Sequence, residues 1–255
     1  MKLKLTIIAA FSICFLISCQ KEYKPDGANI PVTPPSNKLR TYIEDASQTS
    51  SHSIDTFNVT YDNTNRITGL VSSQGSFLYS YLSNSTAGLD IYSGGALIIH
   101  EEAFLNGLSL LDSTIQFNNT NDTTTEKYFY TGTMLTKQVT YDYSTVSGTS
   151  IFSTDTYTYD SNGNAIKDVE TDGAGNVQTT LNYTYSTYLN NVSISPAFIP
   201  FKYKYLPATA TELDESGTVE DVVTYTYEFD SNNRLIKETD AAQSGDVVVK
   251  KYIYF

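Results

Sequence analysis

Aromatic and polar residues alternate along several short stretches of the chain. Tyr-x-Tyr recurs at residues 157–159, 183–185, 225–227 and 252–254, with threonine or isoleucine between the tyrosines. A period of two places the tyrosines on one face of a β-strand and the intervening residues on the other. Tyr, Thr, Val and Ile favour the pleated surface of a sheet, and the chain has 21 Tyr and 12 Phe. The pattern therefore predicts an all-β protein.

The strongest helical candidate is the stretch 96–111, which Asn106-Gly107 interrupts. That dipeptide is a strong hairpin signal because both residue types tolerate positive φ. We therefore predict two strands and a turn in this stretch.

Three aromatic runs end in a shared turn sequence. Each turn begins with an aspartate, whose side chain can accept hydrogen bonds from backbone amides two residues on. Three residues later stands Gly or Asn, the residues that tolerate the positive φ of a type I turn with a bulge. The aspartates are Asp62, Asp160 and Asp230, and the residues three positions later are Asn65, Gly163 and Asn233.

The turns belong to an internal repeat. Residues 160–185 align without a gap on residues 230–255, and the second turns of the two copies coincide at Gly175 and Gly245. Further glycines mark turns at intervals that suit one strand plus one turn. The chain is therefore predicted to form an antiparallel β-meander of hairpins, folded as a curved open sheet or a partial barrel.

The N-terminus has the features of an exported lipoprotein. Lys2 and Lys4 precede an apolar stretch at 5–16, too short to span a bilayer. Leu16-Ile17-Ser18-Cys19 resembles a lipobox. The resemblance implies that residues 1–18 are a signal peptide and that Cys19 receives a diacylglycerol group. Cys14 leaves with the signal peptide, so no disulfide or thiolate metal site is expected in the mature chain.

The residues after the lipidated cysteine indicate sorting and a tether. Gln20-Lys21-Glu22 lacks the aspartate that resembles an inner-membrane retention signal, and it is similar to a short tag for the outer leaflet. We therefore expect an outer-membrane lipoprotein facing the periplasm or the cell surface. Residues 19–38 contain four of the seven prolines and predict a semi-extended tether. Residues 39–255 form the predicted β-meander domain.

The net charge restricts the partners. The chain carries −12 at pH 7, and loss of Lys2 and Lys4 leaves 14 basic against 28 acidic residues, or −14. Such a charge disfavours nucleic acid and anionic membrane surfaces as partners. Attachment to a membrane is therefore expected through the N-terminal lipid.

Catalytic motifs are missing from the sequence. His52 and His100 are the two histidines, and neither stands in a metal-ligand or triad pattern. There is no Gly-x-Ser-x-Gly elbow, Walker loop or dinucleotide loop. The sequence therefore predicts neither an enzyme nor a cofactor.

Several oxygen-bearing side chains have the spacing of calcium ligands, but their role in a turn explains them better. Asp160, Asn162 and Asn164 have a suitable spacing, but Ala165 and Thr171 replace the Gly and Glu of an EF-type loop. Neighbouring acids such as Glu101 and Glu102 point to opposite faces of a strand, so they are poor acid–base pairs. No metal site is predicted.

One segment departs from the repeat. Residues 186–207 contain three prolines interspersed with several aromatic residues, and proline cannot donate to a β-ladder. The segment is therefore not a central strand throughout. It suits either a structural connection across the end of the sheet or a ligand lid.

The turn sequence supports a family resemblance. Tyr-x-Tyr-Asp-x-x-Gly-Asn at 157–164 resembles the Tyr-Asp (RHS-type) repeat of large secreted β-shell proteins. Together, the lipobox, tether and Tyr-rich hairpins resemble a family of exported lipoproteins of unknown function, described as porin-like β-meanders. The resemblance implies an architecture and no catalytic residue.

Three functional hypotheses follow. The first is a non-catalytic binding or surface-interaction lipoprotein whose Tyr-lined sheet takes an apolar, glycan or protein ligand. The alternative is a porin-like outer-membrane β-barrel, since residues 252–255 resemble the aromatic last strand of such barrels. Against the alternative, the sequence lacks a clear apolar band for lipid. A hydrolase is disfavoured because no nucleophile–base arrangement is present.

Overall fold

A computed structural model of the chain describes residues 38–50, 52–117, 123–144, 148–192, 198 and 203–255. The predicted signal peptide, Cys19 and the tether up to residue 37 lie outside the described residues. Among the residues described, no helix is long and apolar enough to cross a membrane.

The described residues form sixteen β-strands. In chain order they are β1 (Leu39–Gln48), β2 (Ser53–Tyr61), β3 (Ile67–Val71), β4 (Gly75–Tyr81), β5 (Thr86–Ser93), β6 (Ala96–Leu105), β7 (Leu111–Phe117), β8 (Thr123–Thr131), β9 (Met134–Ser144), β10 (Gly148–Tyr159), β11 (Ala165–Asp172), β12 (Val177–Leu189), β13 (Tyr205–Leu213), β14 (Val219–Phe229), β15 (Leu235–Ala242) and β16 (Val247–Tyr254). The predicted all-β meander is thus confirmed, as are the two strands predicted for residues 96–111.

The sheet closes on itself. Each strand pairs antiparallel with its neighbours in sequence, and β1 pairs with β16 in a register that sets Tyr42 opposite Tyr252. Beyond the last strand, the Phe255 amide donates to the Lys38 carbonyl at 3.1 Å. The prediction of an open sheet or partial barrel was therefore wrong. Closure gives the backbone groups of the two terminal strands partners that an open edge would lack.

The barrel has two distinct ends. Because the strands alternate in direction, β1 begins and every even-numbered strand ends at one end, here called the N-terminal end. The other end, here called the opposite end, carries the turns after the odd-numbered strands. The Asp62, Asp160 and Asp230 turns all lie at the N-terminal end, whereas Gly175 and Gly245 lie in turns at the opposite end.

A row of tyrosine hydroxyls reinforces the N-terminal end. Near the end of seven even-numbered strands, a described tyrosine donates its hydroxyl to a backbone carbonyl at the start of the preceding strand, at 2.5 to 2.9 Å. The pairs are Tyr61–Leu39, Tyr81–Ile67, Tyr130–Leu111, Tyr159–Leu135, Tyr185–Ala165, Tyr227–Pro207 and Tyr254–Leu235. The tyrosine repeat therefore builds the barrel wall, because each residue supplies both an apolar ring and a bond that ties adjacent strands.

The aspartate turns have one shared geometry. In the turn that follows β10, Asp160 Oδ1 accepts from the amides of Asn162 and Asn164 at 2.8 and 2.9 Å. Gly163 and Asn233 have φ values of 83° and 60°, the left-handed conformation expected for them from the sequence. Positive φ also occurs at Asn65, Gly175 and Gly245. In the turn after β6 the positive φ falls on Ser109, so Asn106 takes the role of the aspartate.

Substitutions at Gly163 test this turn. A Cβ atom at Gly163 would meet nothing within 4 Å, so backbone conformation alone sets the cost. We expect Gly163→Val to lower the free energy of unfolding by about 1–2 kcal/mol and Gly163→Asn to have a mild effect. Chemical denaturation of the three proteins measures this. Equal losses for Val and Asn would contradict the turn assignment.

Three described residues between β12 and β13 pack against inward side chains of the barrel. Val192 packs with Leu39 and the β1–β3 wall, Phe198 lies against β5–β7, and Tyr203 joins a cluster on β9–β11. All three side chains are buried. Of the predicted irregular segment 186–207, the first and last residues belong to β12 and β13. Pro207 stands in β13 at an irregularity of the ladder, where its missing donor is tolerated.

Candidate functional site: the inner face of the barrel

Tyrosines and carboxylates share the inner face of the barrel. The strand registers place Tyr157 opposite Asp168, Tyr227 opposite Glu238, and Tyr225 opposite Asp240. Many inner side chains, such as Tyr225 and Glu101, are half-buried. The inner face is therefore polar and keeps contact with solvent. Acidic residues at the same strand parity as the tyrosines account for this polarity.

The charge of this face is strongly negative. Its carboxylates, identified from the strand registers, include Glu44, Asp55, Glu101, Glu126, Asp142, Asp155, Asp168, Glu170, Glu212, Asp221, Glu238 and Asp240. In the described strands, Lys250 is the one basic side chain at the same inward positions. The inner face therefore carries more carboxylates than Lys250 can neutralise.

Lys250 anchors a buried ionic cluster. Its ammonium lies 2.8 Å from Glu238 Oε1 and 2.7 Å from Asp240 Oδ2. The Tyr252 hydroxyl donates to Glu238 Oε2 at 3.2 Å, and Asp240 Oδ1 is buried without a hydrogen-bond partner. Burial opposes the charge of Lys250, but the two carboxylates raise its pKa overall. The lysine therefore stays protonated.

A second acidic group, on β6, β8, β10 and β11, has no basic partner from the inner face. Burial raises the pKa of Glu101 to about 7, with a further contribution from Glu126. Burial, Glu170 and Glu126 raise the pKa of Asp155 to about 7. Burial and its acidic neighbours raise the pKa of Asp168 to about 8, and Asp168 Oδ1 is buried without a partner. These side chains accordingly take up protons near neutral pH.

The stability of the barrel should depend on pH through this group. The pKa values of Glu101, Asp155 and Asp168 are higher in the folded than in the unfolded chain, so the folded state binds more protons. The stability that proton binding by these three carboxyl groups contributes is complete below their unfolded pKa of about 4. It is lost as the pH rises through about 8. We expect denaturation midpoints to be higher near about pH 5 than near about pH 9. A midpoint that rises with pH over this range would contradict the assignment.

The outer face is rich in threonine. Thr156 and Thr158 on β10, Thr224 and Thr226 on β14, and Thr184 on β12 are all exposed. The prediction that the alternation puts tyrosine and threonine on opposite faces is therefore confirmed for these strands, and the threonine face is the outer one. Charged residues also face outward along the wall, among them Glu102, Lys127, Lys167, Glu228, Lys237 and Lys251.

The residues singled out from the sequence lie away from the inner face. The turn residues Asp62, Asn65, Asp160, Gly163, Gly175, Asp230, Asn233 and Gly245 sit in turns at the barrel ends, and Cys19 lies outside the described residues. His100 faces outward, 2.6 Å from Asp90 and stacked on Phe117. Asp160 Oδ2 already accepts from the Asn164 amide group. Within the described part of the chain, no group of three or more His, Cys, Asp or Glu is placed to hold a metal ion.

Sequence reasoning missed the inner carboxylates. A signal was available, since Asp155 shares the parity of Tyr157 and Tyr159, and Lys250 shares that of Tyr252 and Tyr254. The Tyr-x-Tyr motif itself contains no acid, because the carboxylates stand beside it in the same strand, as Asp155 does, or on the neighbouring strand, as Asp168 does.

The fold is similar to that of two crystal structures described as porin-like proteins. One, from Bacteroides uniformis ATCC 8492, has a TM-score of 0.63 at 13% identity and covers 87% of this chain and 99% of that chain. The other, from Bacteroides vulgatus ATCC 8482, has a TM-score of 0.60 at 11% identity and covers 85% of this chain and 98% of that chain. No protein-family model and no curated protein matches the chain. The porin-like architecture is thus confirmed at the level of the fold.

Proposed function

We propose that this protein is a non-catalytic, porin-like barrel of the bacterial envelope that stays in water, held at the outer membrane by a lipid on Cys19. Its acidic, Tyr-lined inner face binds a cationic ligand. The observation that carries the proposal is the separation of faces in a closed barrel: carboxylates and tyrosines inside, threonines and charges outside.

The inner face favours a cation over the apolar ligand considered from the sequence. A concave surface lined by one sign of charge concentrates counter-ions. Tyrosine rings add a favourable surface for ammonium groups. An apolar ligand would have to desolvate the carboxylates, which is costly. An oligoamine is therefore the ligand class that fits best.

A matched pair of variants tests the binding role. Spermine is titrated calorimetrically into the mature chain 19–255 with Cys19→Ser. Glu101→Gln removes an inward carboxylate, and Glu102→Gln removes the adjacent outward one. We expect Glu101→Gln to weaken binding by about threefold or more, or at least ~0.6 kcal/mol, and Glu102→Gln to change it little. Because burial raises the pKa of Glu101 to about 7, wild-type affinity should also increase from about pH 6 to about pH 7.5, where spermine stays fully protonated. Absent spermine binding, or equal effects of both variants, would reject the cation-binding role.

The outer wall supports a barrel in water. Lys or Arg on the lipid face of a membrane barrel costs about 2–4 kcal/mol at the midplane. Lys127, Lys167 and Lys251 all face outward on separate strands. An outer wall with these lysines is suited to contact with water, as proposed for a barrel attached to the membrane by its tether.

The lipid anchor gives a direct prediction. Cys19→Ala should abolish labelling by a lipid precursor and release most of the chain from repeatedly washed membranes, because a mature domain at −14 without its lipid has only weak, reversible contact with them. Fractionation and immunoblotting measure the release. Retention of the variant after a salt wash would mean that another attachment dominates.

A membrane-spanning porin is the second candidate. It is favoured by closure through the aromatic last strand β16, whose Tyr252 and Tyr254 complete the inner wall. It predicts ion conductance in planar bilayers, which a barrel in water would not produce.

A further inference from the structure

The outer wall carries a cluster of exposed apolar side chains at the opposite end of the barrel. Six outward side chains on β6, β7, β9 and β10 are between 40% and 59% exposed. They are Leu97, Ile98, Phe117, Tyr143, Ile151 and Phe152, here called the rim patch. Large apolar side chains exposed together in this way mark an interaction surface.

The strand registers make the rim patch continuous. Phe117 pairs with Thr123 of β8, which in turn pairs with Tyr143 of β9. Ile151 pairs with Tyr141, and an irregularity between Ile151 and Ser153 leaves Phe152 exposed beside it. On β6, a second irregularity lies beside Leu97, and Leu97 and Ile98 are both exposed. The patch therefore extends around one side of the barrel at a single height.

The six residues form a cluster on that side, whereas Ile54 and Val219, which are exposed to a similar degree at the same end, lie away from it on β2 and β14. On β10, β12 and β14, the exposed outward residues nearer mid-strand are threonines, and none of the six patch residues is charged. A membrane-spanning barrel needs an apolar band around its whole circumference. The rim patch is too one-sided for that role but is suited to shallow contact.

Two lysines face outward on the same side of the wall, Lys127 at the middle of β8 and Lys137 nearer the N-terminal end on β9. Lys127 Nζ lies 5.7 Å from the centre of the Tyr141 ring, and Lys137 Nζ lies 4.3 Å from that of Phe129. Lysines whose stems lie along aromatic surface can direct their ammonium groups to lipid phosphates. Aromatic rings with neighbouring lysines are typical of the membrane–water interface.

We propose that the rim patch rests on the lipid surface of the membrane that holds the N-terminal anchor, an inference that rests on the proposed lipidation of Cys19. The described chain begins at residue 38, at the N-terminal end. Residues 19–37 reach about 55 Å when extended, whereas the strands are about 30 Å long. The tether therefore allows the opposite end to reach the same bilayer, with the barrel lying on its side.

A second copy of the chain fits the patch less well. Large side chains bury about 150–250 Å² each, so six half-exposed ones offer roughly 500 Å². A stable dimer buries about 800 Å² on each partner. A lipid surface, by contrast, accepts a small convex patch.

Vesicle flotation tests the proposal independently of the anchor. The mature chain 19–255 with Cys19→Ser is mixed with phosphatidylcholine vesicles, and its partition is compared with that of the double variant Ile98→Ser/Phe152→Ser. The matched control is Ile54→Ser/Val219→Ser, because these residues are 59% and 52% exposed at the same barrel end on strands away from the patch. Denaturation midpoints establish that all three proteins are folded.

We expect the patch variant to lose at least about tenfold in partition coefficient and the control to match the parent. No partition of the parent, or equal losses in both variants, would overturn the proposal. So would a dimer, seen by sedimentation, that the patch variant abolishes, since a second copy would then be the occupant. Spermine binding is measured separately, so failure of the rim patch would leave the inner-face proposal standing.

Discussion

Lys250→Met should lower the free energy of unfolding by about 3–5 kcal/mol, the usual cost of breaking a buried ion pair by removing one partner. Lys250 is 4% exposed, and its ammonium is the one cation in contact with both Glu238 and Asp240 among the described residues. Methionine preserves most of the side-chain volume of lysine, so the loss of stability measures the effect of removing the positive charge. The two carboxylates would remain buried without a counter-charge.

The neighbouring lysine supplies the control. Lys251 is exposed on the outer face, so Lys251→Met should change stability by less than about 0.5 kcal/mol. The Lys250→Met loss should also be smaller near about pH 5, where protonation neutralises Asp240, whose pKa burial raises to about 7. Chemical denaturation at two pH values measures both effects. Similar losses for the two lysines would mean that inward and outward faces have been exchanged on β16.

Tyr227→Ala should cost about 2–4 kcal/mol, near the low end for truncation of a large aromatic residue. Its ring packs against the core cluster that contains Leu39 and Leu235, and its hydroxyl donates to the Pro207 carbonyl at 2.7 Å. Tyr227→Phe should cost about 1 kcal/mol, the value of one hydrogen bond. The exposed neighbour gives the comparison, since Thr226→Ala should change stability by less than about 0.5 kcal/mol. Comparable losses for Tyr227→Ala and Thr226→Ala in urea denaturation would be inconsistent with the tyrosine row at the N-terminal end.

Local features were predictable because they depend on a few adjacent residues. The alternation at 225–227 fixes which residues share a face, and the aspartate turn at 160–164 needs only its own backbone and side chains. These local patterns predicted the strands and the turn conformations, because each pattern involves fewer residues than one hairpin.

Closure was not predictable in the same way. It depends on the pairing of β1 with β16, whose residues Tyr42 and Tyr252 are 210 positions apart in sequence. Accumulated twist and stagger over sixteen strands decide whether the ends meet, and no local pattern encodes their sum. The Lys250 cluster was missed for a related reason, since Glu238 and Lys250 meet only across a specific register.

Closure also changes the meaning of the tyrosine face. On an open sheet, the face would be a broad apolar surface in need of cover. In the closed barrel, the tyrosine hydroxyls bond the wall at one end, and carboxylates share the enclosed surface. Under the proposed binding role, a ligand that enters would contact carboxylates and aromatic rings together.

The behaviour of the unlipidated mature chain in water tests the central claim most directly. Light scattering after size-exclusion chromatography is applied to residues 19–255 with Cys19→Ser in buffer without detergent. A barrel with an outer face of threonines and charges should elute as a folded, monodisperse protein and should produce no conductance in planar bilayers. Aggregation that only detergent reverses, together with stable ion conductance, would contradict the account and identify a membrane-spanning porin.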